Sequence, residues 1–139
     1  MKLSIKDSDI KPFIGLILYG KNSNLTKLGM TRMIREIHDK EFFELTPALR
    51  SLLEEIGIYE TNSVNKSHRQ RYNRELKNRN INDEVMIEHM ISVKTIVNGM
   101  INLNMTGNEI DDIKNIRHFL ETNTNCVVKL KNKEKELHG

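Results

Sequence analysis

Residues able to meet a polyanion are bunched in this 139-residue chain. Between positions 63 and 79 stand Lys66, Arg69, Arg71, Arg74, Lys77 and Arg79, opposed there by Glu75. Residues 1–62 balance their charges, residues 80–125 are acidic, and the whole chain carries a formal +3. It is the clustering, more than the net value, that suits a partner rich in phosphates. Other reactive side chains do not assemble into a recognisable centre. The histidines stand apart at 38, 68, 89, 118 and 138, and Cys126 is the single cysteine. There is no glycine-rich phosphate loop, no H-E-x-x-H and no G-x-S-x-G. The expectation is therefore a protein that is not an enzyme, with no catalytic residues, no metal site and no cofactor.

The elements that must position these cations can be placed from apolar spacing. Thr46-Pro47-Ala48-Leu49-Arg50-Ser51-Leu52-Leu53-Glu54-Glu55-Ile56-Gly57 has a good N-cap, a proline suited to the first helical turn and a terminating glycine. Leu49, Leu52, Leu53 and Ile56 share one face of a helix over 47–56. Ile58–Thr61 then favours a strand. A polar turn follows at 62–67, and His68–Tyr72 allows either a return strand or a basic helix continuing to Asn78. The hairpin with a short return strand is preferred. Upstream, Asp9 is placed to cap a helix to about Tyr19, with Pro12 in its first turn. A turn spans Gly20–Asn24, and a second helix starts near Leu25 and ends near His38. Downstream, Asn82 is placed to cap a long helix over 83–103, and Thr106 one that reaches Glu121. Cys126–Leu130 reads as a last strand and Lys131–Gly139 as a disordered charged tail.

In this order the first half resembles the winged helix-turn-helix DNA-binding regulators of the MarR and PadR kind. The carrying residues are Met30–Ile37 as supporting helix and Thr46–Glu60 as recognition helix and first wing strand; the likeness spans residues 9–75. The link at 39–45 is longer than the tight turn of those families. The fold class implied is mainly α with a small β-hairpin wing, extended by C-terminal helices. The function implied is sequence-specific binding of double-stranded DNA, in transcription regulation or in plasmid, phage or replication control. Thr46, Pro47, Arg50 and Ser51 would then face the groove, and Lys66, His68, Arg69, Arg71 and Arg74 would neutralise backbone phosphates. The alternative is a small helical adaptor or inhibitor that binds protein and no nucleic acid.

Three regions follow from this reading: a winged-helix domain over 1–80, a helical extension over 81–125, and a strand with tail over 126–139. The stripe Met86, Met90, Val93, Val97 and Met100 along the long helix points to a homodimer. No apolar run is long enough to span a membrane, no signal-peptide pattern is present, and one cysteine fits a reducing cytoplasm. Without tryptophan the core must rest on Ile, Leu, Val and Met.

Overall fold

The computed structural model describes residues 2–20 and 23–134. The chain is helix-rich with two small antiparallel strand pairs. It divides into two units, each assembled from two stretches of chain. Unit 1 comprises Met1–Glu41 and Met90–Asn125, and unit 2 comprises Phe42–His89 and Cys126–Gly139. The division is interleaved: unit 1 takes the chain from residue 90 and returns it at 125, so a break falls at 125 as in the sequence reading, while the other breaks fall at 41 and 89 rather than at 80.

Unit 1 contains α1 (Asp7–Gly15), a π-helical turn (Leu16–Gly20) and α2 (Asn24–Lys40). α1 begins before Asp9, so Pro12 lies beyond its first turn. Asp9 instead accepts a hydrogen bond from the Lys6 amide. α2 is capped by Ser23, which accepts from the Thr26 amide, and runs unbroken through Gly29. Of the turn expected at Gly20–Asn24, Lys21 and Asn22 lie outside the described residues. The unit is completed by α5 (Val93–Ile101) and α6 (Glu109–Asn123). Asn108, not Thr106, caps α6. Thr106 instead donates its amide and hydroxyl to the buried Asp112 carboxylate, both at 2.8 Å, and the Gly107 amide adds a third bond at 3.2 Å. The core gathers Leu3, Ile5, Ile10, Phe13, Met30, Ile34, Ile96, Val97, Met100, Ile116 and Leu120. Leu3 and Ile5 lie on a segment without regular structure, held because Arg117 donates to both their carbonyls.

Unit 2 runs β1 (Phe43–Glu44), α3 (Pro47–Glu55), β2 (Ser63–Val64), α4 (Lys66–Asn78), β3 (Val85–His89) and β4 (Cys126–Leu130). β1 pairs with β2, and β3 pairs with β4 from Val85↔Leu130 to His89↔Cys126. A bridge from Leu45 to Val128 ties the first strand region to β4. Thr46 caps α3 by accepting from the Leu49 amide, and Gly57 ends it at φ +78°, a conformation costly to a side-chain-bearing residue. Leu49, Leu53, Val64, Tyr72, Leu76, Val128 and Leu130 form the core.

Several expected elements are corrected. Ile58–Thr61 is not a strand, because the Ile58 and Tyr59 amides turn back to the Leu53 carbonyl. Residues 68–72 are helix. The long helix over 83–103 does not exist, since Val85–His89 finds a strand partner at 126–130 and the helix proper starts after Ser92, whose hydroxyl accepts from the Thr95 amide. The supposed dimerisation stripe is thereby broken. Met86 lies on β3 of unit 2, Met90 is exposed between elements, and Val97 and Met100 are spent in the core of unit 1 beside the half-buried Val93. The tail expected from Lys131 is a turn up to Glu134, which is buried and accepts from the Leu130 amide. Residues 135–139 lie outside the described residues. Among the described residues no helix is long and apolar enough to cross a membrane.

Candidate nucleic-acid interface

The basic segment of the sequence is α4. Lys66–Asn78 contains no β-branched residue, and its two large apolar side chains, Tyr72 and Leu76, are four apart, which suits a helix with one buried edge. Asn65 starts it by accepting from the His68 amide at 3.2 Å. The inward edge is Tyr72 and Leu76 in the core, with Arg69 half-buried beside them. Asn73 locks the helix to β3, donating to the Val85 carbonyl at 3.0 Å and accepting from the Val85 amide at 2.6 Å. Burial pushes the Tyr72 hydroxyl above its ordinary value, and the Glu60 carboxylate adds to this while Arg71 opposes it.

At about 100° per residue, the opposite edge of α4 carries Ser67, Gln70, Arg71, Arg74, Lys77 and Asn78 within an arc of about 120°. These residues are exposed, apart from half-exposed Arg71. The stripe is about 16 Å long, holds three cations and contains no carboxylate. Arg71 is paired with Glu60 at its margin and lies over the Tyr72 ring. Arg74 and Lys77 make no ion pair among the described residues. Arg79, past the helix end, pairs with Glu75 on the flank of the stripe. Near the C-terminal end of α4 a polar cleft of about 650 Å³ is lined by Asn73, Lys77, Asn82 and Lys131 and also by the carboxylates Asp83 and Glu84, the latter paired with Lys131.

The residues assigned from sequence fall differently. Lys66, His68, Arg69, Arg71 and Arg74 sit on a helix, not on a wing. His68 is engaged at the cap, its Nδ1 2.8 Å from Asn65 Oδ1. Arg69 turns inward and its Nε is buried. On α3, Pro47, Arg50 and Ser51 are exposed as expected, while half-buried Thr46 is occupied by the cap and by donating its amide to the Val128 carbonyl. Arg50 donates to Glu54 at 3.0 Å and lies 5.2 Å over the Tyr59 ring. The hydrogen bond that Arg50 donates to Glu54, with Tyr59 adding, raises its affinity for its proton. Exposed Glu54 and Glu55 flank it, so the outward face of α3 offers a phosphate two repulsive charges against one occupied cation. Ser67, Gln70, Lys77 and Asn78 share this stripe and are not among the residues assigned from sequence. The signal that could have found them is Asn65 as a cap before a run free of Val, Ile and Thr.

Burial pushes the Cys126 thiol up to about 12, which makes its thiolate scarce at neutral pH. No family model, no curated protein and no solved structure matches this chain.

Proposed function

We propose that unit 2 is a double-stranded DNA-binding module in which α4, rather than α3, enters the major groove. The carrying observation is the outward stripe of α4, which has three cations, three hydrogen-bonding side chains and no carboxylate. A groove about 12 Å wide admits one helix, and the residues along its outer edge are those that reach base edges. Arg74, at the centre of the stripe, suits the two acceptors of a guanine edge, and Gln70 suits the donor–acceptor pair of adenine. Ser67, in the first turn of α4, suits a backbone phosphate. Lys77 and Arg71 add charge that loses strength with salt.

The winged-helix reading is supported by the order of unit 2: a short strand β1, a supporting helix α3, the strand β2 that pairs with β1, the presented helix α4, then the antiparallel pair β3 and β4. Two features depart from the simplest such module. The α3–α4 link covers residues 56–65, and the chain between β3 and β4 is the 90–125 segment of unit 1. The biological setting in keeping with this reading is transcription or replication control. Selection of bound duplexes from a random pool tests it directly. An enriched sequence, with binding lost in Arg74→Ala, is the expected result. Equal retention of all duplexes, or preference for single-stranded RNA, refutes it.

A further inference from the structure

Unit 1 holds a second concentration of cations, on helices that the DNA-binding reading does not use. Along α2, Lys27, Thr31 and Arg35 recur every fourth residue and form one ridge about 12 Å long. Along α5, Lys94 and Asn98 repeat the spacing. The two helices pack together, and these five side chains line a cleft of about 270 Å³ with Val93 and Val97. No carboxylate lines it. Among the described residues Lys27, Arg35 and Lys94 make no ion pair.

Three like charges around one small cleft repel one another within a screening length, and nothing in the lining offsets them. An anion seated there converts that repulsion into attraction. The cleft also receives the start of α5. Lys94 is the second residue of that helix, whose first-turn amides lack helical acceptors and whose dipole favours negative charge. Asn98 supplies an amide donor one turn later. Val93 and Val97, the latter buried, restrict water on one side and strengthen charge interactions there.

We propose that this cleft binds a phosphate group, held by Lys27, Arg35 and Lys94 with Asn98 as a neutral donor. The group comes either from a nucleic-acid backbone or from a free phosphorylated small molecule, and the chemistry of recognition is the same. The site stands on unit 1 and does not depend on the role given to α4.

The test is amide chemical-shift mapping of the full chain, titrated separately with inorganic pyrophosphate and with a short duplex. It is repeated on the double variant Arg35→Gln/Lys94→Gln, in which both replaced side chains are exposed and the fold is checked by circular dichroism. The expected result is saturable shifts at Lys27, Lys94 and Asn98, with the apparent Kd raised about tenfold or more in the double variant. Shifts with pyrophosphate alone assign a free phosphorylated ligand. Shifts with the duplex, together with a salt slope reduced by about 2 in the double variant, assign the backbone. The proposal is overturned if neither probe moves these amides at millimolar concentration, or if the double variant binds like the parent. A duplex that moves α4 amides while the cleft stays silent to both probes removes this site and leaves the α4 reading standing.

Discussion

Replacing Arg71, Arg74 and Lys77 together by glutamine removes the three cations of the outward stripe of α4 while keeping length and polarity. None of the three supplies core: Arg74 and Lys77 are exposed and Arg71 is half-exposed. Each cation that neutralises a phosphate contributes about 0.9 to the slope of log affinity against log salt; Arg71 is already paired with Glu60, so the triple variant should lose about 1.8 from that slope, through Arg74 and Lys77. Over the fourfold rise from about 50 to about 200 mM salt, this is about 12-fold less weakening than the parent shows. Fluorescence anisotropy with one duplex at four or five salt concentrations measures it. Arg50→Gln provides the comparison. Its guanidinium is already satisfied by Glu54 and Tyr59, so the slope should change by much less than 0.9. A steep loss in Arg50→Gln, with the triple variant unchanged, would move the reading head back to α3 and refute the assignment of α4. An unchanged slope in both would remove duplex binding from this face of unit 2 altogether.

Other outcomes follow from the packing. Leu53→Ala, at a fully buried position in the core of unit 2, should cost about 2–5 kcal/mol in denaturant unfolding, against about 0.5 or less for exposed Ser51→Ala; equal effects would contradict the burial. Gly57→Ala should cost about 1 kcal/mol through its positive φ alone, since a methyl group there meets open space; a stabilising result would mean that the backbone is not left-handed. The Thr106 amide, followed by the Thr106 hydroxyl and the Gly107 amide, holds the Asp112 carboxyl below its ordinary value, with burial opposing. Its stabilisation is therefore present above the unfolded value of about 3.9 and lost as pH falls towards the folded one, so the Tm gap to Asp112→Asn should be widest near neutrality and shrink below about pH 4. A gap that does not vary with pH would show that the charge is immaterial. With a thiol at about 12, Cys126 should react with a disulfide reagent at pH 8 only slowly in the folded chain, its thiolate being about one part in ten thousand, and rapidly once denatured. Stoichiometric labelling within seconds in the native state would contradict its burial.

Local chemistry settled those elements whose signals are contained in a few neighbouring residues. Thr46, Pro47 and Gly57 delimit α3 because cap, first turn and left-handed stop are each decided by one residue and its adjacent amides. Met30, Ile34 and Ile37 mark α2 because a helix repeats its buried face every turn. The Cys126–Leu130 run carries its own strand propensity. What local chemistry could not settle was pairing. Val85, Met86 and Met90 continue the apolar spacing of Val93, Val97 and Met100, so the segment reads as one helix. The backbone of Val85–His89 is extended only because Cys126–Leu130, some forty residues on, offers its amides and carbonyls in register. The same holds for the candidate site. The cations at 66–79 were plain in composition, but whether they ride a strand or a helix depended on the core taking up Tyr72 and Leu76 and on Asn73 binding Val85. That tertiary packing leaves Ser67, Gln70, Arg74 and Lys77 on one outward edge, and it is the burial of the opposite edge, which no single stretch of sequence contains, that decides which cations face outward.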